Sequence, residues 1–356
     1  MFIKKEIDNL TFTELQQEVE RLELPKYRAK QIFSAIHKNA VNSFDEITSL
    51  SKDLRAKLDQ EFKFTDLTVA TKQISKISNT KKYLFKLEDG NLFESVFMEY
   101  SDRNSICISS QVGCRMGCVF CASTKGGRAR NITAGEMVRQ IYKVEESEGK
   151  YINNIVVMGQ GEPLDNYDNL IRFLKIISDP NGANKSLRKI TVSTCGLTDR
   201  IYDLANEDLP VTLALSLHRT TDDDRSKLMP INKKYPLEDV MKSIKYYYDK
   251  TGRRPSFEYM VIGGENDRYL DIKNIKRFVN MTGAHVNILE LNPIDEYNNK
   301  GKKGAARLFT EKLIENNINA TFRNSMGQDI DGACGQLRRK FKEEEWNVIL
   351  FKNWDR

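Results

Sequence analysis

The sequence predicts an α/β fold: a partial (βα)6 barrel preceded by an N-terminal helical domain and a small β extension. Beyond residue 100, short apolar runs alternate with amphipathic helical segments, which is the pattern of parallel strands joined by helical crossovers. In the first 100 residues, apolar residues recur at helical spacing up to about residue 65 and at a spacing of two from 66 to 100. Six βα units favour an open barrel over a closed eight-stranded one.

The N-terminal region predicts three helices followed by a β-hairpin or small sheet. Thr11 is a capping residue before the first helix, and the next two span 27–37 and 51–62. Asp89-Gly90 forms the turn between two alternating runs. The predicted divisions are 1–65 for the helical domain, 66–100 for the β extension, 101–337 for the βα core and 338–356 for a C-terminal tail.

In the βα core, polar or glycine-bearing segments fall just after the predicted strands. The predicted strands are 106–109, 154–158, 189–193, 211–217, 256–262 and 286–291, and the predicted helices are 133–148, 168–178, 199–206, 236–250 and 270–281. Because the carboxyl ends of parallel strands share one face of a barrel, we expect these segments to form a ligand-binding rim.

Composition limits the class of protein. The 356 residues are 40% hydrophobic and 30% charged, as in a soluble globular protein, and no apolar run approaches the roughly 20 residues of a membrane span. The N-terminus lacks the apolar stretch of a signal peptide, so we expect a cytoplasmic protein with reduced thiols. The net charge of +6 is compatible with a nucleic-acid partner but does not establish one.

Three of the six cysteines, Cys114, Cys118 and Cys121, lie within eight residues. A cubane iron–sulfur cluster needs a ligand for each of its four irons, and three thiolates on one loop leave the fourth iron open. The alternatives are a buried cysteine cluster or a zinc site, and zinc would need a distant fourth ligand.

Other candidate residues follow the strands or lie near the C-terminus. Gly161 and Glu162 follow the second strand, and backbone and carboxylate there could meet a ligand. His218 could face a ligand at the rim or be a structural histidine with satisfied hydrogen bonds. Asn292 could contact a ligand or form a plain turn. Cys334, flanked by small residues, is either a reactive thiol or a small buried hydrophobe.

The spacing Cys-x3-Cys-x2-Cys resembles the cluster motif of radical S-adenosylmethionine (SAM) enzymes. Together with the segments 107–114, 158–164, 227–232 and 329–337, it resembles the RlmN/Cfr family, which methylates an adenine carbon in RNA. The resemblance runs from about 12 to 340 and is closest to the RlmN branch, which acts on adenine C2. Pro163 favours that branch, whereas Gln160 and Glu290-Leu291 depart from the frequent pattern.

The resemblance implies a 4Fe–4S cluster on Cys114, Cys118 and Cys121 and two SAM molecules per turnover. It implies an S-methylcysteine at Cys334, a resolving thiol at Cys107 that forms a transient disulfide with Cys334, and a proton acceptor at Glu94. Without the resemblance, Glu94 would be interpreted as a solvated carboxylate on a strand. Cys195 matches none of these roles and is interpreted as structural. The implied SAM-binding residues are Gly161, Glu162, Ser193, Ser216, Leu217, His218 and Asn292.

The implied partners are 23S rRNA, transfer RNA and an electron donor such as flavodoxin or ferredoxin, and the expected state is a monomer. Phosphate contacts are expected from the N-terminal domain, at Lys26, Arg28, Lys30 and Lys38. One alternative is a relative that methylates adenine C8 of 23S rRNA and confers antibiotic resistance. Another, from a different class, is a non-catalytic RNA-binding protein stabilised by a metal at the three cysteines.

Overall fold

A ten-stranded mixed sheet organises the computed structural model, which describes residues 4–297, 302 and 304–338. The strands are β1 (Lys5–Glu6), β2 (Phe62–Lys63), β3 (Leu67–Ile74), β4 (Thr80–Leu87), β5 (Leu92–Glu99), β6 (Asn104–Cys107), β7 (Gln111–Val112), β8 (Arg130–Asn131), β9 (Asn154–Val157), β10 (Ile190–Thr194), β11 (Thr212–Ser216), β12 (Ser256–Val261), β13 (His285–Glu290) and β14 (Ala320–Arg323). The helices are α1 (Phe12–Arg21), α2 (Tyr27–His37), α3 (Lys52–Glu61), α4 (Ala134–Glu148), α5 (Tyr167–Ser178), α6 (Thr198–Ala205), α7 (Asp222–Leu228), α8 (Leu237–Thr251), α9 (Tyr269–Thr282) and α10 (Ala305–Glu315).

The large sheet is an open partial barrel of parallel strands with an antiparallel extension. Its order is β14-β13-β12-β11-β10-β9-β6-β5-β4-β3, and the segment from β6 to β14 is parallel throughout. Strands β3, β4 and β5 continue the same sheet beyond β6 in antiparallel pairing. The open α/β barrel is therefore confirmed, and the predicted small sheet is continuous with it.

The six predicted core strands and five predicted helices all occur, with bounds within two residues of those expected. The structure adds α10 and β14, which complete a sixth βα unit and supply a seventh parallel strand. The first core strand begins and ends two residues earlier than predicted. It ends at Cys107 because the backbone of Ser109 and Ser110 bonds Gln140 and Gln160 instead of continuing the ladder.

Helices α1 and α3 begin at capping residues, and the N-terminal segment packs on the barrel. Thr11 caps α1, as predicted, and it forms a capping box with Glu14. Fully buried Arg139 of α4 pairs with Asp8 and donates to the Val41 carbonyl at 2.9 Å. An unpaired buried charge is costly, so this ion pair favours one fixed arrangement of the N-terminal segment on the core.

Two observations bear on the remaining sequence features. Among the described residues, no helix is long and apolar enough to cross a membrane. Apart from Arg338, the predicted tail 338–356 lies outside the described residues.

Candidate functional site

The predicted site residues converge on one cavity of about 740 Å³ inside the barrel. They come from different strand ends and loops, as expected where parallel strands share a rim. The cavity-lining members are Cys107, Cys114, Cys118, Cys121, Gly161, Glu162, Ser193, Ser216, His218, Asn292 and Cys334. Leu217 and Glu94 are not among the lining residues, and the Leu217 side chain lies in the hydrophobic core.

The three-cysteine loop (residues 114–121) is held by backbone hydrogen bonds to two distant segments. Val119 N–H donates to the Leu228 carbonyl at 3.0 Å, and Ala122 N–H donates to the Gly335 carbonyl at 2.7 Å. Gly117 has φ of 77°, a conformation that favours glycine. The second hydrogen bond brings the segment that carries Cys334 against the end of the loop.

The loop thiols are largely desolvated. Burial raises the pKa of Cys114 to about 12, and it also raises the pKa of Cys118 and Cys121. Metal binding would therefore have to displace protons from these sulfurs.

Among residues 4–297, 302 and 304–338, no three His, Cys, Asp or Glu side chains converge on a point that could hold a single metal ion. Three thiolates of a cubane each bind a different iron and need not converge on one point. The donor set of three sulfurs on one cavity-lining loop thus fits an iron–sulfur cluster with one open iron.

The loop after β9 presents Gly161 and Glu162 to the cavity. Gly161 has φ of 103°, and a Cβ there would lie 2.6 Å from the Gln111 Cβ, so only glycine fits. The Glu162 carboxylate accepts from Cys195 N–H at 2.8 Å, and burial raises its pKa despite that bond. Cys195, given only a structural role from sequence, thus orients Glu162 through its backbone.

His218 lies at the end of β11 with positive φ and is buried. Its Nδ1 accepts from Met260 N–H at 3.2 Å, and its ring meets Phe120 edge-on at 5.0 Å. Burial, reinforced by Arg225, lowers the pKa of His218 to about 3, so the ring is neutral at physiological pH. A neutral imidazole suits hydrogen bonding to a ligand rather than charge pairing.

Asn292 links the end of β13 to the Cys334 segment. Its Nδ2 donates to the Cys334 carbonyl at 3.2 Å, and its Oδ1 accepts from Gln328 at 2.9 Å. These bonds hold the Cys334 backbone beside the cavity, so Asn292 makes defined contacts there instead of only forming a plain turn.

Cys107 and Cys334 both line the cavity, and Cys334 is accessible to solvent there. Burial raises the pKa of Cys107, and the charge of Cys334 raises it further, which places the two sulfurs within electrostatic range. Surrounding protein raises the pKa of Cys334 to about 11. All six cysteines are free, so the expected Cys107–Cys334 disulfide is not formed in this state.

Glu94 is not the solvated strand carboxylate that its local sequence suggests. It is buried on β5, with Oε1 2.8 Å from Lys82 Nζ and Oε2 accepting from Arg338 N–H at 2.7 Å. Burial raises the pKa of Glu94, while Lys82 lowers it. Val96, two residues along the same strand, lines the cavity and pairs with Cys107, so Glu94 shares the cavity face.

Two residues of the site escaped sequence reasoning. Lys82, one of two adjacent lysines on β4, is buried beside Glu94. Arg225 is fully buried and donates to carbonyls at two strand ends. The strand period could have signalled Lys82, because it puts Lys82 on the face opposite to that of Lys81.

Comparisons with known proteins define first the class and then the family. A family model described as the radical SAM superfamily matches residues 108–274, and one described as the ribosomal RNA large subunit methyltransferase N-terminal domain matches residues 5–63. With the partial barrel and its three-cysteine loop, the first match defines a radical SAM protein.

Full-length relatives define the family. Proteins named probable dual-specificity RNA methyltransferase RlmN include one from Lachnoclostridium phytofermentans, 45% identical over 96% of both chains. Another, from Staphylococcus aureus, is 44% identical over 97% of this chain and 95% of its own. The crystal structure of a radical SAM methyltransferase from Sphaerobacter thermophilus covers 94% of this chain and 100% of its own, with 39% identity and a TM-score of 0.89. The chain belongs to the RlmN family of radical SAM RNA methyltransferases.

Proposed function

We propose that this protein methylates C2 of an adenine in 23S rRNA and transfer RNA through a methylated cysteine and a transient protein–RNA adduct. One observation carries the proposal: Cys107 and Cys334, distant in sequence, line the same cavity as the three-cysteine loop. A protein that only bound SAM at a cluster would not need this second pair of thiols.

The family implies a 4Fe–4S cluster and SAM, and the cavity offers groups for both. Cys114, Cys118 and Cys121 would hold the cluster, whose open iron would support one-electron reductive cleavage of SAM. The proposed SAM contacts are Gly161, Glu162, Ser193, Ser216, the Leu217 backbone, His218 and Asn292. Glu162 is a buried hydrogen-bond acceptor and suits the SAM amino group. The ammonium would place an opposite charge beside the buried carboxylate and so favour its ionised form.

The thiol pair divides the remaining chemistry. Cys334, as thiolate, would take the methyl group of a first SAM, and a second SAM would supply the radical that removes hydrogen from that S-methyl group. The resulting carbon-centred radical would add to adenine C2, and the adduct would lose the C2 proton to a base and return one electron to the oxidised cluster. Attack of the Cys107 thiolate on the Cys334 sulfur would then break the sulfur–carbon bond, and the released carbon would take up a proton to become the methyl group. A Cys107–Cys334 disulfide would remain for an external reductant.

Glu94 would accept the C2 proton, because it is a buried carboxylate on the cavity face beside Cys107. Lys82 and the Arg338 amide occupy its two oxygens. Displacement of the Arg338 amide, four residues beyond Cys334, would free Oε2 for the proton. Movement of the Cys334 segment would then determine whether Glu94 has an oxygen available to accept the proton.

We also propose the following setting for the reaction. The N-terminal domain would contact RNA phosphates through Lys26, Arg28, Lys30 and Lys38, of which all but the half-buried Arg28 are exposed. The protein would act as a cytoplasmic monomer, where thiols are kept reduced. A low-potential carrier such as flavodoxin or ferredoxin would supply electrons.

Product analysis tests the proposed function. The anaerobically reconstituted protein, given SAM, a reductant and 23S rRNA fragments or transfer RNA, should yield 2-methyladenosine by nucleoside mass spectrometry against standards. Cys334→Ala should form none, because it lacks the sulfur that carries the methyl group. Formation of 8-methyladenosine would instead assign the C8 activity, and absence of both 5′-deoxyadenosine and methyladenosine with a loaded cluster would reject catalysis.

A further inference from the structure

Arg225 is a fully buried guanidinium bonded only to neutral groups. It lies on α7, and its NH2 donates to the Cys195 and Ser216 carbonyls at 2.7 and 2.9 Å. Nε donates to the Leu217 carbonyl at 3.2 Å, and NH1 donates to Asn232 Oδ1 at 2.8 Å. Its hydrogen-bonding capacity is thus largely used, which leaves its charge to be explained.

No carboxylate of the described chain lies within ion-pair distance of Arg225. The acidic side chain that most affects it is Asp222, which is exposed and reaches it only through Asn232. An isolated buried cation costs several kcal/mol even after relaxation, so a buried arginine usually has an anionic partner. An anionic partner of Arg225 is therefore expected on the side of the guanidinium that faces the cavity.

The three-cysteine loop lies on that side. Leu228, one turn along α7 from Arg225, accepts the Val119 N–H of the loop at 3.0 Å. Cys118 lines the cavity. Cys195, whose carbonyl accepts a hydrogen bond from Arg225, lines it too. Arg225 therefore lies between a carbonyl at the edge of the cavity and the helical turn that contacts the three-cysteine loop.

We propose that Arg225 is a positioning residue whose charge balances an anionic iron–sulfur cluster on the three-cysteine loop and raises the reduction potential of that cluster. A cubane held by three thiolates is negatively charged, and one-electron reduction adds a further negative charge. A fixed cation nearby favours the reduced form, and burial in a low-dielectric site strengthens the effect. This inference rests on the proposed cluster but concerns its redox equilibrium rather than its presence.

A charge-sign test uses two changes on the same network. Arg225→Gln removes the buried cation and keeps two amide N–H donors, whereas the isosteric Asp222→Asn removes the opposing carboxylate and keeps an oxygen for its acceptor bonds. Ser226→Ala removes a hydroxyl that accepts from Asn232 at 3.0 Å and changes no charge, so it is the matched control. Each reconstituted protein would be titrated with dithionite against redox mediators and followed by electron paramagnetic resonance of the reduced cluster.

At a fixed solution potential, Arg225→Gln should lower the ratio of reduced to oxidised cluster about tenfold, a shift of about 59 mV for one electron. Asp222→Asn should shift the midpoint the other way by less, because Asp222 is exposed, and Ser226→Ala should match the wild type. An unchanged midpoint in Arg225→Gln, or a downward shift in Asp222→Asn, would overturn the inference. If Arg225→Gln fails to fold or load, the direction of the Asp222→Asn shift decides. If the wild-type protein itself binds no iron and sulfide, the proposed function fails first.

Discussion

Glu94 illustrates how strongly the surroundings of one residue limit its chemistry. A buried carboxylate tends to hold its proton, which would make it useless as a base, and Lys82 at 2.8 Å counteracts this tendency. The sheet alternation that puts Glu94 on the cavity face also puts Lys82 beside it. In the proposed reaction, the pair would provide a base that can remain ionised near the adenine ring.

Replacement of Lys82 by Met should slow breakdown of the protein–RNA adduct about tenfold or more at neutral pH. Loss of the nearby cation raises the pKa of Glu94 further, so less of the base is ionised at neutral pH. The rate should recover as pH rises through the new pKa, and Cys334 methylation should be unaffected. The measurement is adduct decay as a function of pH.

The matched control is Lys81→Met, which removes the same charge from the strand position next to Lys82, where Lys81 pairs with Glu148. It should leave the pH profile in place. If Lys82→Met and Lys81→Met gave the same profile as the wild type, Glu94 would not be the ionised base that depends on Lys82.

At the scale of elements, each strand end supplies one part of the site, and the short α7 supplies another. The chain after β6 carries the three clustered cysteines, and the loop after β9 carries Glu162. The end of β13 brings Asn292, which secures the Cys334 segment. Because this segment also bonds the three-cysteine loop, the Cys334 segment and that loop form one connected unit.

Helix α2 is the element on which the proposed RNA contact can be tested. Combined Arg28→Glu and Lys30→Glu should weaken RNA binding, because phosphate contacts release counterions. The slope of log affinity against log salt should fall in magnitude by about 1 per lost contact. A binding assay across salt concentrations measures both effects.

Lys242→Glu with Lys245→Glu makes the same net charge change on the outer face of α8 and should have a smaller effect. Equal losses in the two double variants would attribute RNA binding to net charge rather than to α2. Unchanged affinity in the α2 variant would reject the contact.

At the scale of the whole molecule, the N-terminal helices and the barrel share one hydrophobic core, and His37 of α2 lies inside it. Its Nδ1 meets the Tyr142 hydroxyl of α4 at 3.2 Å. Burial lowers the pKa of His37 to about 3, whereas the unfolded chain has the ordinary value near 6.5. The folded state therefore keeps His37 neutral at pH values where the unfolded chain binds a proton.

The free energy of unfolding should consequently fall as pH drops below about 6.5, by about 2–3 kcal/mol from His37 between pH 6.5 and 4.5. The contribution is fully present above pH 6.5 and is lost toward the folded pKa. Denaturant unfolding of the apoprotein should show a shallower pH dependence for His37→Phe than for the wild type. His285→Phe, at a less buried histidine, is the control, and equal slopes for wild type and His37→Phe would contradict the assignment.

Periodicity and capping predicted most of the fold, because they are local properties. Helix 27–37 and the cap at Thr11 occur as expected. Helix α10 and strand β14 were missed, because β14 is short and the chain before α10 is rich in lysine and glycine. The three-cysteine loop was evident from spacing alone.

The second thiol pair and its supports depend on tertiary contacts. Cys107 and Cys334 are 227 positions apart, and only the family resemblance suggested that they act together. Arg225 gave no sequence signal of burial, and only the strand period signalled Lys82, since lysine and arginine usually mark solvent-exposed surface. Their roles follow from what surrounds them in the folded chain.

The central claim is that Cys334 carries the methyl group to RNA and Cys107 releases it. The most direct measurement is the reaction of cluster-loaded Cys107→Ala with SAM, reductant and RNA, followed by denaturing electrophoresis and peptide mass spectrometry. A covalent protein–RNA adduct on the Cys334 peptide should accumulate, and Cys107→Ala combined with Cys334→Ala should form none. Release of methylated RNA without an adduct, or 5′-deoxyadenosine formation with neither product, would contradict the account.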